Sequence, residues 1–352
     1  METKSLKENT LLGIGNPLLD ISANVEKSFL AKYGLKQNDA ILADSEKHSG
    51  LYTELVDNYK TEYIAGGSVQ NALRVCQWLL EKAKVTTFFG CVGEDNFSKI
   101  LHEKAVTEGV NARYQYNEKE PTGTCAVLVT DHHRSLCANL GAANCFTIDH
   151  VRNPDNKKLV NSAQFYYISG FFLTVSPPTI MEIANVALSR DRPLIMNLSA
   201  AFISQLFKEP LMQVLPYVDV LFGNEQEAET FAQEQEFGTK DMKEIATKIC
   251  NLPKQNEKRA RVVVLTQGIH PVILAHDGKI REFSVKALSN DLVVDTNGAG
   301  DAFAGGFLSQ YIQGRSLEVA IKCGIWAAQQ IVQRSGCTFE GRATFDPSED
   351  LH

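Results

Sequence analysis

The segment Asp295-Thr296-Asn297-Gly298-Ala299-Gly300-Asp301 sets a carboxylate inside a glycine turn. It follows the apolar run Leu292 to Val294, read as the end of a strand, and opens a helical stretch from Ala302 to Tyr311. A strand feeding a helix through such a turn leaves backbone N–H groups unpaired, here those of Gly298, Ala299 and Gly300. With the positive end of the helix dipole they form an anion site. Asp301 would repel a resting phosphate, so phosphate storage is a poor use of the arrangement. A carboxylate beside a phosphate cradle is useful if it takes a proton from a hydroxyl attacking phosphorus. The competing reading is that Asp301 caps its own helix.

Other polar residues fall where strands end. Thr10 to Gly15 reads as a buried strand with Asn16 and Asp20 just beyond it. Gly13-Ile14-Gly15-Asn16-Pro17 lacks the third glycine of a dinucleotide fingerprint, which argues against a nicotinamide-dependent oxidoreductase. Gly66-Gly67-Ser68-Val69-Gln70-Asn71 opens an amphipathic helix through Ala72, Val75, Leu79 and Leu80. Its paired glycines allow a ligand close to the backbone, and Ser68 reads equally as the helix N-cap. In Asn224-Glu225-Gln226-Glu227 the amide and the second carboxylate share a helical face at i, i+3. That spacing suits the waters of a magnesium ion, or an N-cap with its capping-box partner. Thr266-Gln267-Gly268 is small and flexible enough to touch a nucleotide phosphate.

The elements that must hold these residues alternate. Val85 to Val92 reads as a strand and Phe97 to Val106 as a helix. The β-rich runs Gln164 to Ser169, Pro193 to Asn197 and Val218 to Phe222 are followed by helical patterns at Pro177 to Ser189, Ile203 to Leu215 and Glu225 to Glu234. Val262 to Thr266 is followed by an irregular stretch, a late hairpin turning at His276-Asp277-Gly278-Lys279, and a closing helix from Leu317 to Val332. This alternation predicts an α/β fold with a doubly wound, mainly parallel sheet flanked by helices, its ligand groups at the strand C-termini. Thr124 to Thr130 and Ser135 to Leu140 alternate around Asp131-His132-His133-Arg134, predicting a hairpin in a smaller β-sheet lid. The histidine pair suits a solvated turn better than a metal site, since no further ligands flank it. Arg134 is well placed for a cation that closes over phosphates. Ile21 to Tyr63 is irregular, with one helix near Glu46 to Tyr59. The expected division is a large α/β domain of residues 1–16, 66–112 and 143–352 and a lid of residues 17–65 and 113–142.

With 352 residues, 44% of them hydrophobic and 22% charged, the chain can bury a large core as one elaborated domain or two. Its net charge of −7 and the lack of any basic block argue against nucleic acid or an anionic membrane as partner. The first ten residues are polar, and no apolar run approaches the roughly 18 residues that span a bilayer. Eight scattered cysteines with no Cys-x-x-Cys pair fit reduced thiols in the cytoplasm. The triplets Asn96-Phe97-Ser98 and Asn197-Leu198-Ser199 are then chance glycosylation patterns.

Taken together, these motifs resemble the ribokinase-like (PfkB) family of carbohydrate and nucleoside kinases. Gly66 to Asn71 is similar to its N-terminal signature, Asp295 to Asp301 to its C-terminal one, and Asn224-x-x-Glu227 to its intermediate motif. Gly15 to Ser22, Pro121 to Cys125 and Gly170 to Pro177 resemble the members that phosphorylate adenosine, and the likeness runs from about Leu11 to Phe339. Gly141 departs from the pattern, where alanine is expected, which would loosen the return strand of the lid. Asp346 to His352 reads as a tail.

The resemblance implies transfer of the ATP γ-phosphoryl group to the 5′-hydroxyl of adenosine, giving AMP and ADP in purine salvage. It implies Asp301 as base, Gly298, Ala299 and Gly300 as anion hole, and Arg134 descending onto the phosphates. Glu227 and Asn224 would orient Mg2+, with Thr266 and Gly268 near the nucleotide. Asp20 would accept from both ribose hydroxyls, with Gly67 and Asn71 completing that site and Asn16, Gly66 and Asn297 also binding substrate. The base would lie among Leu42, Cys125, Leu136, Ala138, Leu140, Phe172 and Phe202, with Phe172 stacked on it and Ser68 bonded to an edge nitrogen. A related sugar kinase would need polar groups at Cys125, Leu136 and Phe172. A regulator that has lost catalysis would show erosion of Asp301, Glu227 or the glycine turn. A monomer is compatible with an acidic chain that carries a sizeable lid.

Overall fold

Short runs of Val, Ile, Leu and Phe, most followed by a helix, pair into the larger of two sheets. The computed structural model describes residues 6–37, 40–131 and 133–347. Its strands are β1 (Leu11–Ile14), β2 (Leu18–Asn24), β3 (Ala40–Leu42), β4 (Glu62–Gly66), β5 (Thr86–Gly93), β6 (Asn111–Asn117) and β7 (Thr124–Thr130). There follow β8 (His133–Asn139), β9 (Phe165–Ser169), β10 (Leu194–Asn197), β11 (Val220–Asn224), β12 (Val262–Gln267), β13 (His270–His276) and β14 (Lys279–Phe283). The larger sheet has nine strands in the order β14-β13-β12-β11-β10-β9-β1-β5-β6. From β6 to β12 every neighbouring pair is parallel, and β13 and β14 add an antiparallel edge.

Chain order reverses at β1. The chain first builds outward through β5 and β6, then returns to the other side of β1 with β9 and β10. Such a reversal opens a crevice at the carboxyl ends of the strands, because the connecting helices diverge to opposite faces there. Both faces of the sheet are covered. Leu12, Ile14, Tyr166, Ile168, Met196, Leu221 and Val263 pack one core, while Leu11, Phe88, Tyr167, Ile195, Val220 and Phe222 pack the other.

The smaller sheet has five strands in the order β3-β8-β7-β2-β4. Its period-two pattern sends Ile21, Ala23, Ala126, Leu128 and Cys137 into a core shared with Phe29, Leu30, Leu51 and Leu55. The alternating set, which includes Asp20, Cys125, Arg134, Leu136 and Ala138, is left for the opposite face.

Several expectations are corrected here. Residues 18–66 hold three strands and two helices, Lys27–Lys32 and Leu51–Asn58, the second beginning after Gly50. Residues 113–117, expected in the lid, pair with β5 in the larger sheet. Leu292 to Val294 is no strand: a short turn spans Asn290–Leu292, and Leu292 and Val294 are largely exposed. The helix expected over residues 203–215 is split at Phe207, and the second piece, Lys208–Val214, carries Pro210 in its first turn. Proline is tolerated there because first-turn N–H groups have no intrahelical acceptor. Arg134 lies within β8, opposite Val129, and not in the turn. His133 opens β8, and His132 lies outside the described residues. Gly141 has a φ of +45°, and a Cβ there would run into the Pro121 carbonyl oxygen. Glycine suits that position, and no loosening follows from it.

Candidate active site

Five successive parallel strands send a residue into one cavity of about 440 Å3: Asn16 beyond β1, Ser169 on β9, Asn197 on β10, Asn224 on β11 and Thr266 on β12. The far wall is the free face of the smaller sheet, where Asp20, Leu42, Cys125, Leu136 and Ala138 line the cavity with Leu140 just past β8. Sheet register brings these together, since Leu42 and Cys125 both lie opposite Ala138. The cavity therefore has a polar floor of strand ends and a largely apolar ceiling.

Asp301 enters from the helix Ala299–Tyr311, as its third residue. The N-cap is Gly298, with a φ of +77° and no side-chain cap bond, so Asp301 does not cap the helix. Its carboxylate accepts from Ser68 Oγ at 2.7 Å and from Asn71 Nδ2 at 3.1 Å. Those partners come from the helix Ser68–Leu80, which packs closely because Gly305 lacks a side chain, as Gly306 does toward the helix Leu317–Ile331. A Cβ on Gly305 would lie 2.5 Å from the Ala72 carbonyl oxygen, and one on Gly306 2.5 Å from that of Cys323. Burial pushes the Asp301 carboxyl up to about 6, and the Ser68 and Asn71 hydrogen bonds oppose the rise. In the turn itself, Gly298 and Gly300 N–H groups find no acceptor among the described residues, whereas Ala299 N–H is spent on the Thr296 carbonyl at 3.3 Å. The expected three donors are thus two.

Asp20, on β2, is only 7% exposed and points into the same space. Burial pushes its carboxyl up to about 8, the charges of Asp301 and Asp295 add to the rise, and Arg74 and an Asn297 hydrogen bond oppose it. Gly66 supports this group from outside the lining, since a Cβ there would come within 2.6 Å of the Asp20 Cγ. Gly67 lines the cavity at a φ of +93°, against the Asn16 carbonyl oxygen. The N-cap of this helix is Gly67 and not Ser68, whose hydroxyl donates to Asp301. The buried Asn16 Oδ1 has no partner among the described residues.

Asn224 and Glu227 form a complete capping box. Glu227 N–H donates to Asn224 Oδ1 at 2.8 Å, and the Glu227 carboxylate accepts from Asn224 N at 3.0 Å and Nδ2 at 2.7 Å. Both still line the cavity, and burial pushes the Glu227 carboxyl up to about 7, with Asp301 adding to the rise and backbone hydrogen bonds opposing it. No cluster of three or more acidic, His or Cys side chains able to hold a metal exists among the described residues.

Three further placements differ from expectation. Arg134 pairs with Asp295, which also accepts from Asn297 N and Gly336 N at 2.6 Å each, so the lid cation is docked on the turn carboxylate. One of its terminal nitrogens, Nη1, is buried without a partner while the residue lines the cavity. Phe172 is fully buried against Phe146, with no face to offer a base. Its neighbour Phe171 lines the cavity instead, its ring 6.1 Å from that of Phe202. Gly268 sits at a φ of +56° in open space beyond the lining. The sequence reading missed Leu18, Ile41, Thr174, Asn197, Ser199 and Phe303, which also line the cavity. Asn197 ends the β-rich run Pro193 to Asn197 and Ser199 follows it, and their polar character at a strand end is the signal that marks them.

A carboxylate beside a pair of free amides, in a cavity covered by a second sheet, is the arrangement of a phosphotransferase cleft. The chain belongs to the pfkB family of carbohydrate kinases, whose profile matches residues 27–342, and its fold is ribokinase-like. The particular relatives are narrower than that. It is 46% identical over 346 residues to adenosine kinase 2 of Arabidopsis thaliana, covering 98% of this chain and 100% of that one. Adenosine kinase of Dictyostelium discoideum is 40% identical over 328 residues, covering 93% of this chain and 96% of that one. Among solved structures, Anopheles gambiae adenosine kinase in complex with P1,P4-di(adenosine-5) tetraphosphate superposes with a TM-score of 0.95 at 54% identity, covering 97% of this chain and 100% of that one. Schistosoma mansoni adenosine kinase with 2-fluoroadenosine gives a TM-score of 0.93 at 34% identity, over 97% and 100% of the two chains.

Proposed function

We propose that this chain is an adenosine kinase, transferring the γ-phosphoryl group of ATP to the adenosine 5′-hydroxyl. The observation that carries the reading is Asp301, held by Ser68 and Asn71 at the mouth of the Gly298–Gly300 turn and facing a cavity with a second buried carboxylate, Asp20. Asp301 takes the hydroxyl proton as the phosphoryl arrives, since an alcohol is too weak an acid to ionise first; such help is worth about 10²–10⁴-fold. The free Gly298 and Gly300 amides hold charge developing on the transferred group. Asp20 accepts from the two ribose hydroxyls, and an unpaired buried acceptor rejects sugars lacking them by up to about 10⁴-fold. Leu42, Cys125, Leu136, Ala138, Leu140 and Phe202 enclose the base, with Phe171 in the stacking position. Arg134 Nη1 is the lid's contribution to the phosphates.

Magnesium suits the Glu227 carboxylate, which lines the cavity while each of its oxygens accepts a bond from Asn224. With few carboxylates nearby, the ion would be held through waters by Glu227 and Asn224 and would neutralise phosphate charge when bound. The reading includes a cytoplasmic monomer. All eight cysteines are free thiols, and among the described residues no helix is long and apolar enough to cross a membrane. The test is ADP release with adenosine, inosine, ribose and fructose as acceptors. Adenosine should be preferred by orders of magnitude, and comparable turnover of ribose or fructose would overturn the assignment.

A further inference from the structure

Resting on that reading, we infer that Arg74 is a positioning residue for the reaction, acting through Asn71 to fix the amide that holds Asp301. Arg74 has no exposed surface and lies one helical turn beyond Asn71. Its Nη1 donates at 3.0 Å to Asn71 Oδ1 and at 3.0 Å to the Ala65 carbonyl, just before the paired glycines. Its Nε and Nη2 donate to Glu108, which also takes Lys104 at 2.9 Å. A chain of charge-assisted bonds therefore runs Lys104–Glu108–Arg74–Asn71–Asp301, from the protein surface to the cavity.

An unconstrained amide could turn either end toward Asp301. Turned one way, Nδ2 donates to the carboxylate; turned the other, Oδ1 faces a negative oxygen and repels it. A guanidinium bonded to Oδ1 permits only the first. Arginine is suited to this because its planar fork serves Ala65, Asn71 and Glu108 at once, whereas lysine offers a single ammonium. Glu108 offsets the charge of the buried cation, whose remaining pull on the cavity falls on Asp20.

The other titratable groups that feel the Asp301 charge are Asp20, Glu227, Tyr167 and Cys337, and none donates a hydrogen bond to its carboxylate among the described residues. Loss of the Asn71 bond should therefore raise the pH at which Asp301 ionises. Two readouts separate this role from simple packing. The first is the carbon-13 shift of the Asp301 carboxyl across pH in wild type and Arg74→Met, which needs no turnover. The midpoint should rise by about one pH unit in the variant. The second is a cycle of Arg74→Met with Asn71→Ala, read as kcat for adenosine. Arg74→Met should cost about 10-fold in the wild-type background and under about 2-fold once Asn71 is gone, because the two act as one device.

Equal losses in both backgrounds, or an unmoved Asp301 titration in a folded variant, would overturn the inference. Near-ultraviolet circular dichroism reports folding, and Arg74→Lys carries the same comparisons if the methionine variant fails to fold. A wild-type protein that does not phosphorylate adenosine would remove the functional reading while leaving the carboxyl titration to decide the role of Arg74.

Discussion

Replacing Asp20 with asparagine should make the protein more stable and worse at binding adenosine. The carboxyl titrates at 3.8 in a solvated chain and is pushed up to about 8 in the fold, chiefly by burial and next by the charges of Asp301 and Asp295. Between those values the folded protein holds a proton that the unfolded chain has released, so wild-type stability falls as pH rises through that window. At pH 7 the gap of roughly three pH units corresponds to about 4 kcal/mol, an order-of-magnitude figure. Asparagine keeps the shape and removes the ionisation. At about 2 °C per kcal/mol for a chain of this size, Tm at pH 7 should rise by several degrees. Scanning calorimetry of both proteins from pH 4 to pH 9 should show curves that meet near pH 4, separate steadily, and run parallel above pH 8. A pH-independent difference, or a less stable variant at pH 8, would refute the electrostatic argument. Isothermal titration should meanwhile show adenosine affinity falling more than ATP affinity.

Asp301→Asn should fold and bind adenosine but lose at least about 10²-fold in kcat; near-normal turnover would reduce the residue to a structural role. Wild-type turnover should fall as pH drops through about 6, where Asp301 takes up its proton, while the residual rate of the asparagine variant should lack that limb. Arg261 is buried and donates to the carbonyls of Leu215, Val218, Ile249, Leu252 and Pro253, none of which lines the cavity. Arg261→Lys has too few donors for that set and should cost about 2–4 kcal/mol in denaturant unfolding with kcat/KM unchanged; an unaltered unfolding midpoint would contradict this.

The parallel sheet was legible because its strands are apolar on both faces and are separated by helix-length intervals, as at Phe165–Ser169 and Leu194–Asn197. The smaller sheet was half hidden. β3 is three residues long, and the cavity side of β2 carries Asp20 and Ser22, which breaks the hydrophobic alternation that marks a strand. The glycine turn and Asp301 stood out through local spacing alone, but the segment before them is irregular despite its apolar residues. Phe171 and Phe172 differ by one step of a tight 3-10 turn, and spacing cannot say which ring faces the cavity. Arg74 and Arg134 find their partners in the fold, and the acid that Arg134 meets is 161 residues away in sequence. No local pattern carries that information.

The paired glycines in the middle of the Ala299–Tyr311 helix sit with one neighbouring backbone pressed against each. A single methyl group at either would force two helices apart by a fraction of an ångström and swing the Asp301 carboxylate, one turn upstream, away from the position that the proposed proton transfer requires. Turnover could thus be lost four or five residues from the chemistry without altering any group that meets the nucleoside. Errors at Gly305 or Gly306 should look like damage to the reacting centre rather than to the scaffold.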